Sequence, residues 1–220
     1  MKKSFLTTAF VMLLIVLTSA NLSGQTKNRT GSKIKWLDVE KICIEYKMTG
    51  MQIGMKKDYY IDWGNESLSI LDVVMEMGPI KQRTHTATYT KGNKIYTVDL
   101  QTNKGTVTKN PMRSAKSEKQ AEQFGDDFMK EFGKEVGSKE FLGKTCRVFE
   151  MPNLGTKTLV WKNITLKSVT GFGTMKQIMA AIKLIFNFDE KILNLPTNIK
   201  FEEGPNLDDI MKKMRGNLKN

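Results

Sequence analysis

Apolar and polar residues alternate with a period of two along most of the chain, which is the pattern of half-buried β-strands. In the segment KICIEYKMTG, every second side chain from Ile42 to Met48 is apolar, and the residues between them are a cysteine, a glutamate and a lysine. One face of this strand is therefore predicted to face a core. The segment DYYIDWGN continues the pattern and ends in a glycine and an asparagine, which are typical of turns.

The clearest hairpin pattern spans residues 86–109, TATYTKGNKIYTVDLQTNKGTVTK. Three β-rich runs are separated there by turn sequences at residues 91–93 (KGN) and 102–105 (TNKG). Strands joined by turns this short must be antiparallel. The preceding run, ESLSILDVVMEMGPIKQRTHTATYT, predicts one or two strands interrupted at residues 78–79, because proline cannot donate a ladder hydrogen bond.

The segment TKTLVWKNITLKS at residues 156–168 changes its apolar phase in the middle. Leu159 and Trp161 share one face of a strand, whereas Ile164 and Leu166 have the opposite parity. A continuous strand with one buried face resists such a slip, because every later side chain would turn to the other face. Asparagine tolerates the backbone of tight turns. The segment therefore predicts two strands that meet at a turn or bulge at residues 162–163.

The segment TMKQIMAAIKLIFNF at residues 174–188 has a composition that favours helix. Its apolar residues nevertheless alternate without a gap, so we predict a strand. The alternating set consists of Ile178, Ala180, Ile182, Leu184, Phe186 and Phe188. The sequence LPTNIKF that follows predicts a loop and a short edge strand.

Two segments have helical spacing instead. Ser117 and Gln120 form a capping box, and an apolar stripe follows, made by Ala121, Phe124, Phe128 and Phe132. These phenylalanines either pack the helix on the sheet or roof a cavity, and the sequence leaves both alternatives open. The tail from Pro205 predicts a terminal amphipathic helix with the apolar residues Leu207, Ile210, Met211, Met214 and Leu218.

The N-terminus has the three-part layout of a secretory signal peptide: two lysines, an apolar run from Phe5 to Leu17, and small or polar residues to Gly24. A membrane span is the alternative, but it needs roughly 20 apolar residues. We expect residues 1–24 to be removed after Ala20 or Gly24 and residues 25–37 to be a flexible lead-in. Residues 38–220 are long enough for one domain. No cysteine precedes Cys43, so we expect no lipid anchor. Cleavage of the signal peptide would leave no transmembrane anchor, and we expect a periplasmic or secreted location in a bacterium.

The chain is basic, with 35 Lys and Arg residues against 23 acids. Removal of residues 1–24 takes away two lysines and no acid, so the net charge falls from +12 to +10. Such a balance favours anionic partners, among them an anionic envelope surface. An ordinary solvated surface is the alternative. Export and the scattered lysines argue against nucleic acid.

Cys43 and Cys146 are the two cysteines of a chain predicted to enter an oxidising compartment. A disulfide between them would close a loop of roughly 100 residues and contribute about 4 to 5 kcal/mol in the chain-entropy model. Two unpaired buried thiols are the alternative.

Catalytic and metal-binding patterns are weak. The single histidine, His85, lies in RTHTAT, an alternating polar strand face, so a solvent-facing role is favoured over a general base. Two distant cysteines and one histidine do not make a metal-ligand cluster. We expect no cofactor and no enzymatic activity.

Four segments, in this order, carry a resemblance: DYYIDWGN, GNKIYTVDLQTNKGTVTKNP, GKTCRVFEM and LVWKNITLKS. They resemble an uncharacterised family of exported bacterial envelope proteins, which in turn is similar to the periplasmic lipoprotein carrier LolA and its outer-membrane partner LolB. The resemblance covers about residues 38–203. Asn163 stands where the uncharacterised family tends to have glycine. No carrier residue known for ligand or partner contact can be matched to a position here.

The resemblance implies a mainly β (α+β) fold, in which a curved antiparallel sheet forms an incomplete half-barrel and helices cover its concave side. It also implies an apolar concavity that binds a lipid, an acyl chain or a lipoprotein. An acyl chain gains about 0.8 kcal/mol for each methylene buried in such a site. The expected lining aromatics are Phe124, Phe128, Phe186 and Phe188. The alternative is a structural or interaction module of the envelope with a filled core and no ligand.

Overall fold

The computed structural model describes residues 35–77, 79–110, 133–172 and 175–204. The predicted signal peptide, the predicted helix at residues 117–132 and the predicted C-terminal helix therefore lie outside the described residues. So do Phe124 and Phe128. Among the described residues, the helical elements are single 3₁₀ turns at Asp62–Gly64, Pro152–Leu154 and Glu190–Leu193. Helices over one side of the sheet are thus not part of what the structure shows.

The described residues form one open sheet of 12 strands. In chain order the strands are β1 (Ile42–Gly50), β2 (Gln52–Ile61), β3 (Glu66–Met77), β4 (Ile80–Lys91), β5 (Lys94–Asp99), β6 (Lys104–Lys109), β7 (Lys134–Phe141), β8 (Lys144–Met151), β9 (Thr156–Trp161), β10 (Ile164–Phe172), β11 (Met175–Ile185) and β12 (Phe201–Glu203). Their order across the sheet is β12-β6-β5-β4-β3-β2-β1-β11-β10-β9-β8-β7.

Neighbouring strands in the sheet are antiparallel, except that β12 runs parallel to β6 at one edge. The two halves of the chain meet where β11 pairs with β1, from Gly50↔Gln177 to Cys43↔Ile185. The predicted meander is confirmed as β4, β5 and β6, joined by short turns. The short edge strand predicted near residue 201 is confirmed as β12.

The phase slip at residues 162–163 is a two-residue hairpin turn. Lys162 and Asn163 have φ angles of 49° and 63°, and Trp161 pairs with Ile164 across the turn. Both φ values lie in the left-handed region, which asparagine tolerates better than most residues. The prediction of two strands at this place is confirmed.

The strand predicted at residues 174–188 is confirmed as β11. Up to Ile182 its buried face is the one opposite to the alternating set, whereas Leu184 of that set packs on the same side as Met179 and Ala181. Met179 and Ala181 are buried, whereas Ile182 is 49% exposed. The register with β1 is the reason, because Met48 pairs with Met179 and Tyr46 pairs with Ala181. The register then shifts between Glu45 and Tyr46, which leaves Ile182 as an extra residue in β11.

The two faces of the sheet carry separate apolar cores. The main core consists of Leu37, Ile42, Ile44, Tyr46, Met48, Leu71, Val73, Cys146, Val148, Leu159, Ile164, Leu166, Met179 and Ala181. The second core consists of Cys43, Tyr59, Leu68, Ala87, Val98 and Leu193. Successive side chains of a strand point to opposite faces, so β1 contributes Ile42 and Ile44 to one core and Cys43 to the other.

The segment after β11 covers part of the second core. The Phe188 ring meets the Tyr59 ring edge to face at 5.3 Å, and Phe201 meets Tyr96 in the same way at 5.2 Å. Leu193 lies between these contacts along the chain and is buried. This coverage explains why β1 is apolar at Cys43, on the face that the alternation marks as polar.

The disulfide considered from the sequence is not formed. Cys43 and Cys146 are both free and buried, and they belong to the second and the main core respectively. Because they lie on opposite faces of the sheet, their side chains point away from each other, and a bridge would require the backbone to move.

We expect both thiols to be protected in the folded protein. Burial raises the pKa of Cys43 and of Cys146, and the thiol form is a poor nucleophile. Ellman's reagent at pH 8 should therefore react slowly with the native protein and should titrate two thiols per chain in guanidinium chloride without reductant. Detection of no thiol in the denatured chain would show a bridge instead.

Candidate functional site

An ion pair is buried on the main core face of β2. Lys56 Nζ lies 2.8 Å from Asp58 Oδ2, and their side chains are only 8% and 4% exposed. The two residues are two positions apart on one strand and therefore share a face. Charged side chains are almost never buried to this degree unless they are paired.

The strand register places this pair among apolar neighbours. Lys56 lies between Tyr46 of β1 and Leu71 of β3, and its Nζ is 5.6 Å from the centroid of the Tyr46 ring. Asp58 lies next to Ile44 of β1. On β3 the neighbour of Asp58 is Ser69, so Lys56 has main-core neighbours on both sides and Asp58 has one on the β1 side only.

Two tyrosine hydroxyls extend the polar cluster. Tyr60 Oη donates to Asp58 Oδ2 over 3.4 Å, and Tyr46 Oη donates to the backbone carbonyl of Thr165 over 3.0 Å. Burial, and secondarily the Asp58 charge, raises the pKa of Tyr46 and of Tyr60 well above the ordinary value. Both hydroxyls therefore stay protonated and act as donors. We call Tyr46, Lys56, Asp58 and Tyr60 the buried polar cluster.

One acceptor of the buried polar cluster is unused. Asp58 Oδ2 receives bonds from Lys56 and Tyr60, but Asp58 Oδ1 is buried and has no hydrogen-bond partner within the described part of the chain. A buried polar atom without a partner costs about 1 to 3 kcal/mol, more for a charged group. Such an atom in a folded protein therefore requires an explanation.

The unused oxygen of Asp58 offers a hydrogen-bond acceptor. A carboxylate oxygen in apolar surroundings can accept a hydrogen bond from an N–H or O–H group of a ligand. In the ranges that the structure describes, no three His, Cys, Asp or Glu side chains are grouped to hold a metal ion. His85 lies opposite Asp72 on the β3–β4 ladder, and the Asp72 carboxylate is bound by Arg83 at 2.9 Å.

Sequence reasoning did not find the buried polar cluster. The segment MKKDYYI shows a Lys-x-Asp-x-Tyr spacing. It does not show that these three residues lie on the same side of the sheet as the apolar residues of β1. That fact depends on the register, in which Ile42, Ile44 and Tyr46 pair with Tyr60, Asp58 and Lys56.

The predicted lining aromatics that the structure describes do not form one lining. Phe186 is 50% exposed, and its ring is 6.4 Å from the Trp161 ring. Phe188 packs on Tyr59 in the second core. Because Trp161 packs against the main core, the two phenylalanines contact different sides of the sheet.

A surface cleft of about 470 Å³ opens beside the start of β1. It is lined by Val39, Glu40, Lys41, Ile61, Asp62 and Glu190. Four of these six side chains are charged, and Lys41 pairs with Glu190 at 2.9 Å. The cleft therefore differs in chemistry from the apolar hollow that the sequence resemblance implies.

Comparison with known proteins gives distant structural similarity. No protein-family model matches the chain, and no curated protein matches it. An uncharacterized conserved protein from Thermus thermophilus matches 88% of this chain and 99% of its own, with 9% identity and a TM-score of 0.48. LprF from Mycobacterium bovis matches 67% of this chain and 86% of its own, with 6% identity and a TM-score of 0.34.

A third solved structure is described as a putative outer membrane lipoprotein-sorting protein domain from Vibrio parahaemolyticus. It matches 70% of this chain and 89% of its own, with 11% identity and a TM-score of 0.29. No helix among the described residues is long and apolar enough to cross a membrane.

Proposed function

We propose that the protein is an exported, non-enzymatic envelope protein that binds an amphiphilic ligand against the main core face of its sheet. The ligand would be an acyl chain whose polar end carries an N–H or O–H donor. The observation that carries this proposal is Asp58 Oδ1, which is buried beside the main core residue Ile44 and has no hydrogen-bond partner in the part of the chain that the structure describes.

The two parts of such a ligand would be bound by different forces. The acyl chain gains about 0.8 kcal/mol for each methylene that leaves water. A donor at its polar end would bond to Asp58 Oδ1, and a hydrogen bond to a charged group contributes about 1.5 to 3 kcal/mol. The bond would also remove the penalty of the unused acceptor.

The charges of the buried polar cluster favour one class of polar end. A fatty-acid carboxylate would be repelled by Asp58, and the Lys56 ammonium is already bound to Asp58 at 2.8 Å. Amides, alcohols and amines do not meet this repulsion. An acyl chain joined through an amide, as in an acylated protein N-terminus or an N-acylated lipid, therefore fits the site better than a free fatty acid.

The half-barrel curvature, the helical cover and the envelope location belong to this proposal. The described residues establish the open 12-stranded sheet and its two cores. A trough that surrounds an acyl chain requires that the sheet also bends around the main core face.

A second candidate is a structural module without a ligand. The observation that favours it is the complete burial of Ile42, Ile44 and Leu166 in the main core, which is typical of a filled core. In that case the Lys56–Asp58 pair would fix the strand register and bind nothing.

A pair of matched probes tests the proposal. We expect a fluorescent N-acyl amide to bind roughly tenfold or more tightly than the methyl ester of the same chain length, because only the amide donates to Asp58 Oδ1. The preference should disappear in the double variant Lys56→Met/Asp58→Leu. It should persist in Arg83→Met/Asp72→Leu, which removes a largely exposed ion pair.

Two results would contradict the proposal. Binding of neither probe would favour the filled module. An unchanged preference in the Lys56→Met/Asp58→Leu variant would place the ligand away from the buried polar cluster.

A further inference from the structure

The three tryptophans of the chain lie at one rim of the sheet. Trp63 is in the 3₁₀ turn between β2 and β3, and Trp161 ends β9. The backbone N–H of Trp36 donates to the carbonyl of Trp63 over 3.0 Å, and that of Asp38 donates to the carbonyl of Lys162 over 3.3 Å. The segment at residues 36–38 thus connects the two turns, and we call this part of the molecule the tryptophan rim.

Lysine side chains lie against two of these indole rings. Lys35 Nζ is 4.4 Å from the Trp63 ring centroid, and the Nζ atoms of Lys144 and Lys162 are 5.3 and 5.2 Å from that of Trp161. None of these three lysines takes part in an ion pair within the described ranges. Their charges remain available to an external anion.

Three of the nearby acids have side-chain partners, one of which is a cation. These contacts are Glu190 with Lys41, Asp38 with the side-chain amide of Asn163, and Glu140 with the hydroxyl of Thr145. Glu40 and Asp62 line the adjacent cleft. Asp38 and Glu140 are bound by neutral groups and keep their charges, whereas Lys144 and Lys162 lie against Trp161 without an ion pair among the residues that the structure describes.

Two large apolar side chains project from the same rim. Phe186 is 50% exposed and contacts the Trp161 ring, and Leu142 is 42% exposed at the tip of the β7–β8 hairpin. Leu142 has a φ of 51°, a left-handed conformation that is costly for leucine and usual for asparagine or glycine in a two-residue turn. A strained, exposed leucine at a hairpin tip suggests a role outside folding.

We propose that the tryptophan rim docks on the surface of an anionic lipid bilayer. Leu142 and Phe186 would enter the boundary between head groups and acyl chains, and the amphipathic indoles would lie at head-group level. Lys144 and Lys162 would bind lipid phosphates, since an anionic leaflet attracts basic residues close to its surface.

Quenching of tryptophan fluorescence by brominated lipid tests this inference directly, because the three fluorophores lie at the docking rim. We expect the purified protein to be quenched by brominated vesicles of equal parts phosphatidylglycerol and phosphatidylcholine, and not by phosphatidylcholine alone. Salt at about 0.5 M should abolish the effect by screening. Lys144→Gln/Lys162→Gln should weaken partitioning roughly 25-fold, or about fivefold for each lysine.

The matched control is Lys104→Gln/Lys176→Gln. It removes the same charge from exposed positions at the opposite rim, so partitioning should be nearly unchanged. An equal loss in both double variants, or no quenching of the wild type, would overturn the proposal. If a purified partner protein binds at the tryptophan rim and vesicles do not quench the tryptophans, the rim is a protein-binding surface. That result would overturn the proposal as well.

Leu142→Gly separates docking from folding. Glycine adopts a φ of 51° without strain, so this variant should be at least as stable as the wild type and yet be quenched less by the brominated vesicles. A loss of stability together with unchanged quenching would show that Leu142 serves the fold alone. These readouts are independent of the amphiphile site, since neither measures binding at Asp58.

Discussion

Replacing Asp58 by leucine, with Lys56 left in place, should lower the free energy of unfolding by about 3 to 5 kcal/mol. Lys56 is 8% exposed and has Asp58 as its ion-pair partner, so the substitution leaves a buried ammonium without compensation. The Tyr60 hydroxyl also loses its acceptor. Urea denaturation followed by circular dichroism measures the change.

The double variant Lys56→Met/Asp58→Leu is the informative comparison. Replacement of a buried ion pair by apolar residues of similar size is often neutral or stabilising, so the double variant should fall within about 1 kcal/mol of the wild type or above it. Asp72→Leu, at a pair whose side chains are 56% and 40% exposed, should have a much smaller effect than Asp58→Leu. Equal losses in the single and double Asp58 variants would mean that the pair is not what matters at this position.

Gly50→Ala should destabilise the protein by roughly 2 to 5 kcal/mol. Gly50 ends β1 with a φ of 113°, which disfavours any residue with a side chain. A Cβ at this position would also lie 1.9 Å from the backbone carbonyl oxygen of Lys176 on β11. The β1–β11 ladder joins the two halves of the sheet, so a shift of the backbone at Gly50 would disturb the pairing between them.

Gly143→Ala is the matched control, because it tests the conformational penalty of a positive φ without a steric clash. Gly143 has a φ of 65°, but an added Cβ would meet nothing within 4 Å. This variant should therefore show the conformational penalty alone, about 1 to 2 kcal/mol. If thermal unfolding shows equal losses in both variants, the close approach of β1 and β11 at Gly50 is not as the structure has it.

The strands could be predicted from the sequence because a period of two needs only local information. The turn at residues 162–163 left a phase slip that the sequence displays, and the structure has a hairpin there. The face of β11 could not be read in this way, because both parities of MKQIMAAIKLI carry apolar residues. The choice is made by the pairing with β1, which turns Met179 and Ala181 inward.

The candidate site was hidden for a related reason. The main core face of β2 carries Lys56, Asp58 and Tyr60, so its polarity marks it as a solvent face. The register nevertheless places Asp58 and Lys56 beside Ile44 and Tyr46 of β1, which belong to the main core. Sequence patterns predict which residues of a strand share a face. They do not predict which of the two faces is buried when both carry apolar groups.

The cysteines show the same limit. Loop length and compartment favour a bridge between Cys43 and Cys146, but whether two thiols meet depends on strand parity within the folded sheet. Cys43 has the parity of the second core and Cys146 belongs to the main core.

The central claim is that the main core face holds an amphiphile next to Asp58, and native mass spectrometry of the protein purified from its own envelope tests it most directly. We expect part of the population to carry an additional mass that lipid extraction releases as an acyl-containing amide, alcohol or amine, and the Lys56→Met/Asp58→Leu variant to lack it. A folded wild-type protein that carries only its polypeptide mass, and that takes up no N-acyl amide when it is offered, would contradict the claim.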